Sequence, residues 1–281
     1  MKINLAKSAG FCFGVRRAIK IAENVASSRK NVYILGDIVH NEDVSKRLYS
    51  LGIKKIKRLR RGKNKVLLIK AHGAGKKIFD KARRLGYKIV DATCPMVKEI
   101  HKIAKQEERK KRKIIVIGDK AHEEVLGIVG QLEGNPIVID PKDKIPIDKI
   151  KKIEKASVLV QSTQNMEEVE KIKKILEGYI KDLKFFNTIC KPTRIKQEEI
   201  KVLPKENDLV IIIGSKTSAN TKRLFEIAKK INKNTYWINK KEEINPLWFR
   251  EVKSVGITTG ASTPQETIEE IVRYIENKIV E

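Results

Sequence analysis

The chain has 281 residues, with 61 lysines and arginines against 35 acidic residues and a formal net charge of +26 at pH 7. Its longest aliphatic runs span about five residues and its first residues form no apolar segment, which argues against a membrane span or a secretory signal. Its three cysteines are far apart and do not resemble a disulfide framework, so we expect a cytoplasmic protein.

The positive charge is compatible with nucleic acid, an anionic small substrate or an acidic protein as partner. A solvated, lysine-rich surface like that of many thermophile proteins is a simpler explanation. The basic residues are spread along the chain and do not alternate with aromatic residues, which disfavours a stacking platform for single strands. We therefore expect no nucleic-acid partner and no membrane partner.

Short apolar runs alternate with helical patterns from the beginning of the chain. In segment 15–26, apolar residues recur every three or four positions, which is typical of an amphipathic helix. The patterns predict a strand at 3–6, a helix at 15–26, a strand at 32–35, a helix at 42–51, a strand at 66–69 and a helix at 76–85.

The rest of the chain follows the same plan. It is predicted to hold strands at 87–90, 114–117, 137–139, 158–160, 209–213 and 255–258, and helices at 96–109, 167–179, 222–231 and 265–278. A further helix is predicted from Pro192 to about 203, and a helix or turn ends near 130. Segment 140–150, with two prolines, is the most linker-like stretch. Strands that alternate with helices predict α/β units with mainly parallel sheets.

The cysteines mark an internal repeat. Each is followed 24 residues later by a glycine that ends a predicted strand. The pairs are Cys12 and Gly36, Cys94 and Gly118, and Cys190 and Gly214, and four residues beyond the glycines stand His40, His122 and Ser218. Equal spacing in three segments predicts a triplicated unit, and we place the three domains at 1–93, 94–189 and 190–281.

Each cysteine also precedes a predicted helix, where helix-terminal N–H dipoles favour the thiolate. An isolated intracellular cysteine is usually a small buried apolar residue. Three cysteines at equivalent positions of a repeat could instead meet at one point and hold zinc, or an iron–sulfur cluster with one iron lacking a protein thiolate. The spacing does not separate the two metals.

Polar side chains follow the predicted strands, at the edge where parallel sheets bind ligands. Imidazoles there suit a diphosphate, and Glu124 is the one obvious proton donor among them. Hydroxyl and amide groups at helix starts can cap the helix or share its N–H groups with a phosphate. The candidate anion ligands are His40, His72, His122, Ser218, Asn220 and Ser262, whereas His101 lies within a helix and is expected to be structural or on the surface.

Eight short motifs, in order over almost the full length, resemble the 4-hydroxy-3-methylbut-2-enyl diphosphate reductases, the last enzymes of the methylerythritol phosphate route to isoprenoids. They are GFCFGV at 10–15, VHN at 39–41, AHG at 71–73, DATCP at 91–95, HEEV at 122–125, TIC at 188–190, SANT at 218–221 and GASTP at 260–264. Two positions depart from that family. Ser162 replaces a threonine of Gln-Thr-Thr, and Ala219 replaces a second serine.

The resemblance implies three similar α/β domains in a pseudo-threefold trefoil around one central [4Fe–4S] cluster bound by Cys12, Cys94 and Cys190. It implies reductive dehydroxylation of the allylic diphosphate to isopentenyl and dimethylallyl diphosphates, with ferredoxin or flavodoxin as electron donor. Glu124 would deliver protons, and Ser162 would lie near the substrate alcohol. The substrate, chiefly through its diphosphate, would be bound by His40, His72, His122, Ser218, Asn220 and Ser262.

Two other functions stay open at this point. One is a basic nucleic-acid-binding protein with a structural metal. Salt-dependent affinity for generic DNA or RNA would support this function. The other is a zinc hydrolase that uses the same three thiolates. Measuring the metal content distinguishes it from the reductase.

Overall fold

The computed structural model describes residues 1–279, with side chains through residue 277. The chain divides into two compact units. The terminal unit contains Met1–Val15, His40–Val44 and Lys191–Glu281, and the central unit contains Arg16–Val39 and Ser45–Cys190. Within residues 1–279, no helix has the length and apolar composition needed to cross a membrane.

Strands and helices alternate along the whole described chain. The strands are β1 (Lys2–Leu5), β2 (Val32–Leu35), β3 (Lys54–Ile56), β4 (Val66–Ile69), β5 (Lys88–Asp91), β6 (Lys113–Ile117), β7 (Ile137–Ile139), β8 (Lys155–Val160), β9 (Asp182–Phe185), β10 (Leu209–Ile213), β11 (Thr235–Ile238) and β12 (Ser254–Thr259). The helices are α1 (Phe13–Ser28), α2 (Glu42–Ser50), α3 (Lys76–Arg84), α4 (Pro95–Arg109), α5 (Glu123–Val129), α6 (Ile147–Ile150), α7 (Met166–Glu177), α8 (Lys191–Val202), α9 (Ala219–Ile231) and α10 (Gln265–Ile279).

The terminal unit is built on one parallel sheet in the order β1-β12-β10-β11. Its strand β10 is apolar and buried at every position, as expected for a parallel sheet that is covered on both faces. Alternate residues of β10 pack on opposite sides, with Ile271 of α10 on one face and Leu224 of α9 on the other. Strand β1 pairs with β12 at Ile3↔Val255, so the first strand of the chain completes a sheet made otherwise from residues 209–259.

The central unit holds two parallel sheets, in the orders β3-β2-β4-β5 and β7-β6-β8-β9. The middle strands β4 and β6 are almost continuous runs of buried aliphatic residues. In the second of these sheets, Ile115 and Val158 contribute to one buried cluster and Val116 and Leu159 to another. Each of the two sheets is therefore fixed by apolar burial on its faces rather than by its polar edges.

The three sheets repeat one topology. In each sheet the first strand after a cysteine (β2, β6 or β10) lies between an edge strand (β3, β7 or β11) and a third strand (β4, β8 or β12). The opposite edge strand (β5, β9 or β1) leads to the next cysteine. These three similar sheets confirm the predicted α/β class and the triplicated unit. The ranges 1–93, 94–189 and 190–281 stay predictions, and residues 280–281 of the third range lie outside the described part.

Most predicted elements are present within one to three residues of their expected bounds. The strands at 32–35, 66–69, 137–139 and 209–213 have the predicted bounds. The sequence patterns missed three strands, β3, β9 and β11, and the prediction of a linker at 140–150 overlooked the short helix α6. The missed strands are all at sheet edges, where fewer positions are buried and the apolar signal is weak.

His101 is a buried residue of α4, with 7% of its surface exposed, as expected for a structural histidine. A Cβ at Gly73 would lie 2.8 Å from its Cε1 atom, so the ring packs directly against that glycine. Its Nε2 has no hydrogen-bond partner among the described residues. Burial lowers the pKa of His101 from 6.5 to about 4, and the nearby Lys105 ammonium acts in the same direction.

This burial predicts a loss of stability in acid. Between pH 6.5 and about 4, His101 is protonated in the unfolded chain but neutral in the folded chain. The contribution of neutral His101 to the free energy of unfolding is therefore complete above pH 6.5 and falls as the pH falls. From pH 7 to pH 5 we expect this residue to cost about 2 kcal/mol of the free energy of unfolding. Urea unfolding of wild type and His101→Gln at both pH values isolates the effect. An identical decrease in the two proteins would contradict it.

Candidate active site

Each cysteine is held by the same backbone hydrogen bond. The cysteine N–H donates to a carbonyl in the loop after the neighbouring strand, with β12, β4 and β8 as the three strands. The bonds run from Cys12 to Ala261 (3.1 Å), from Cys94 to Ala71 (2.9 Å) and from Cys190 to Ser162 (3.0 Å). The sheet ends therefore position all three cysteines in the same way.

A helix begins directly after each of these cysteines, as the sequence predicted. α1 begins at Phe13, α4 at Pro95 and α8 at Lys191. Pro95 occupies the first helical position, where its missing N–H costs nothing. The Val15 N–H lies 3.5 Å from the Cys12 sulfur and donates to it. All three cysteines are partly exposed, and none is joined in a disulfide.

Glu124 is a buried carboxylate in the central unit, with 2% of its surface exposed. Its Oε1 accepts a hydrogen bond from the Ser162 N–H at 2.6 Å, and its Oε2 accepts one from the Ser162 hydroxyl at 2.7 Å. The carbonyl of Ser162 accepts from the N–H of Cys190. One residue thus joins the candidate proton donor to a candidate metal ligand.

Two imidazoles follow from the backbone of Glu124, one in contact with its N–H and the other in contact with the first ring. His122 caps α5, and its Nδ1 accepts from the Glu124 N–H at 3.2 Å. An Nδ1 atom that accepts from a backbone N–H carries no proton, so the ring proton of His122 is on Nε2. The His72 ring meets the His122 ring edge to face, with centroids 5.5 Å apart. The central unit therefore brings together Glu124, Ser162, His122 and His72.

The remaining candidates lie in the terminal unit. Ser218 caps α9, and its hydroxyl oxygen accepts from the Thr221 N–H at 3.3 Å, so the helix-capping role considered from sequence is present. Asn220 follows in the first turn with 4% exposure, and its Nδ2 has no hydrogen-bond partner among the described residues. The Ser262 hydroxyl donates to the His40 carbonyl at 2.9 Å. Ser262 itself is not a helix cap, because α10 begins three residues later.

The sequence profile of the family described as LytB protein matches residues 3–276. The chain belongs to the LytB family. A relative from Aquifex aeolicus named 4-hydroxy-3-methylbut-2-enyl diphosphate reductase is 40% identical over 278 residues, which cover 98% of this chain and 96% of that protein. A relative of the same name from Dictyoglomus thermophilum is 38% identical and covers 99% of this chain and 97% of its own.

Solved structures give the same result for this LytB chain. One, described as (E)-4-hydroxy-3-methyl-but-2-enyl diphosphate reductase, the terminal enzyme of the non-mevalonate pathway, has a TM-score of 0.73 and 38% identity over 98% of this chain and 99% of that chain. The E-1-hydroxy-2-methyl-but-2-enyl-4-diphosphate reductase from Plasmodium falciparum has a TM-score of 0.90 and 26% identity over 99% and 88%. The resemblance seen in the eight motifs is confirmed.

The sequence motifs did not single out two further charged residues of the LytB chain. Glu123 forms an ion pair with Lys70, and its Oε2 lies 3.5 Å from His72 Nδ1. The sequence signal available was that Glu123 lies between His122 and Glu124. Its partners are more than 50 positions away, so no local pattern could reveal the pairing.

The donor set of the LytB chain suits a sulfur-bound metal. Thiolates are ligands for iron–sulfur clusters and for zinc, and helix starts favour the deprotonated form that binds metal. Cys12, Cys94 and Cys190 share the same backbone anchor and the same helix start. Each of these cysteines can therefore bind a metal through its thiolate.

The helix cap at His122 yields a stability prediction. His122→Ala leaves the Glu124 N–H without its acceptor and should lower the free energy of unfolding by about 1 kcal/mol. His122→Asn restores a side-chain acceptor at the cap and should regain most of this loss. Guanidinium unfolding of the three proteins under identical conditions measures both effects. Equal losses in both variants would show that the cap is not the cause.

Proposed function

We propose that this LytB chain is an iron–sulfur reductase that removes the hydroxyl group of 4-hydroxy-3-methylbut-2-enyl diphosphate. One substrate molecule, two electrons and two protons give one molecule of isopentenyl or dimethylallyl diphosphate and one water. The observation that carries this proposal is the buried Glu124 carboxylate bound by Ser162, whose carbonyl in turn holds Cys190. The names of the relatives supply the substrate.

The proposed cofactor is one [4Fe–4S] cluster with Cys12, Cys94 and Cys190 as its three protein ligands. When bound, such a cluster supplies single electrons and an iron without a thiolate that polarises the substrate hydroxyl. The repeated backbone anchor supports equivalent roles for the three thiolates, because it fixes each cysteine at the end of a strand.

Glu124 and Ser162 are proposed to deliver the proton to the leaving hydroxyl. In the ionised state both carboxylate oxygens accept hydrogen bonds from Ser162. When Glu124 Oε2 carries a proton, that O–H can donate to the Ser162 oxygen, and the serine hydrogen turns towards the substrate oxygen. The pair can therefore pass one proton outward without moving a heavy atom, and burial of Glu124 keeps bulk water from competing.

The diphosphate is proposed to be bound by His40, His72, His122, Ser218, Asn220 and Ser262. Asn220 supports this role because its buried Nδ2 donor has no hydrogen-bond partner in the described chain, a cost that an anionic oxygen would remove. Ser262 must turn its hydrogen away from the His40 carbonyl to donate to a phosphate. At Ala219, only the backbone N–H can contact the ligand.

His72 and His122 contribute different protons. His122 carries its proton on Nε2 because Nδ1 accepts from the backbone. For His72, the Glu123 carboxylate lies 3.5 Å from Nδ1 and favours a proton on that atom.

The electrons are proposed to come from a ferredoxin or a flavodoxin. Such donors are acidic, and a chain with a net charge of +26 attracts them over long distances. A reducing cytoplasm is the proposed compartment, because three thiols that bind metal have to stay reduced.

The test is the conversion of the diphosphate by anaerobically purified protein with a low-potential reductant. Wild type should release both product diphosphates. Glu124→Gln should keep its iron and its affinity for the diphosphate but lose about a hundredfold or more in kcat, because amide nitrogen cannot deliver the proton. Glu133→Gln, an exposed glutamate paired with Lys76, is the matched control and should retain activity. Normal turnover of Glu124→Gln would remove this residue from the mechanism, and no product from iron-loaded wild type would refute the function.

A further inference from the structure

Lys196 of α8 is among the largest fully buried side chains of the chain, with 2% of its surface exposed. Its Nζ donates to the Thr259 carbonyl at 3.1 Å and to the Ser8 carbonyl. Burying an ammonium group is unfavourable because it loses its hydration, and an apolar side chain of similar volume usually fills such a space as well or better. The buried charge therefore calls for an explanation other than packing.

Both carbonyls belong to segments that hold Cys12. Ser8 lies four residues before Cys12, and Thr259 is the last residue of β12. The Thr259 hydroxyl oxygen accepts from the Gly10 N–H at 2.7 Å, so it contacts the Cys12 loop directly. Lys196 thus ties the loop that carries the cysteine to the strand end on which it rests.

Glu199 strengthens the same connection one turn further along α8. Its carboxylate accepts from the Ser8 N–H at 3.2 Å and from the Ser8 hydroxyl. α8 begins at Lys191, directly after Cys190, so the helix that follows one candidate ligand also holds the loop of another.

Burial lowers the pKa of Lys196 from 10.5 to about 8, and the nearby Cys12 and Glu199 act in the opposite direction. Lys196 therefore still carries its charge at pH 7. The charge thus lies where it can balance the negative charge of the Cys12 thiolate. A cation in a buried site acts strongly on a group whose charge changes, because little water screens it.

We propose that Lys196 is a positioning residue for Cys12 and the cation that balances the charge of the metal group bound there. This inference rests on the proposed iron–sulfur function. Uptake of one electron would add one negative charge to a bound cluster, and an ammonium held by the Ser8 and Thr259 carbonyls of the Cys12 loop would stabilise that charge. Lys196 therefore makes the cluster easier to reduce and holds the Cys12 loop in the geometry that retains iron.

The test compares two charge-removing variants on the same helix. Lys196→Met removes the buried ammonium, whereas Lys201→Met removes a partly exposed one paired with Glu198 at 3.5 Å. The readouts are iron per chain and the one-electron midpoint potential of the holoprotein at pH 7, followed by electron paramagnetic resonance. Lys196→Met should bind less iron, and its remaining cluster should be at least tenfold harder to reduce, which is about 59 mV more negative. Lys201→Met should match wild type.

Glu199→Gln supplies an independent test with the opposite sign. It keeps an acceptor for Ser8 but removes the negative charge, so the potential should become less negative. If Lys196→Met does not fold, Lys196→Gln, which keeps an N–H donor for Ser8 and Thr259 without the charge, takes its place in both measurements. A potential equal to wild type in both variants, or equal shifts in Lys196→Met and Lys201→Met, would overturn the role of Lys196. Wild type without iron and sulfide would instead refute the proposed function.

Discussion

The placement of all three cysteines in this LytB chain depends on one repeated constraint, the hydrogen bond from each cysteine N–H to a carbonyl beyond the neighbouring strand. The bond connects the segment after an edge strand to the segment after an inner strand. Each cysteine is therefore held in place by a parallel sheet. Buried aliphatic runs such as Leu209–Ile213 hold those sheets together on both faces. The apolar core of each sheet thus determines where the polar side chains at its strand ends lie.

The same loops carry the candidate substrate ligands. The carbonyls that accept from the cysteines belong to Ala261, Ala71 and Ser162, and the first two directly precede Ser262 and His72. A loop that anchors a cysteine therefore also presents a hydroxyl or an imidazole. Ser162 does both, because its N–H and hydroxyl bind Glu124 while its carbonyl holds Cys190. This shared anchoring places the candidate metal ligands and the candidate substrate ligands at the same end of each sheet.

Much of this arrangement could be predicted from sequence because it follows from strong local signals. Continuous apolar runs gave the inner strands, and the 24-residue spacing gave the repeat. The edge strands β3, β9 and β11 were missed because their positions are only partly buried. Lys196 and Glu123 were missed because their partners come from distant segments, such as Ser8 and Lys70. Only the folded chain reveals that a lysine within a basic helix is buried.

We propose that three equivalent cysteines hold an iron–sulfur cluster, and metal content tests this proposal most directly. Protein purified without oxygen should be brown and contain iron and sulfide in near-equal amounts, about four of each per chain. Replacing any one of Cys12, Cys94 or Cys190 by serine should lower both together. A colourless protein with one zinc and no sulfide would contradict the account and would favour a zinc hydrolase on the same thiolates.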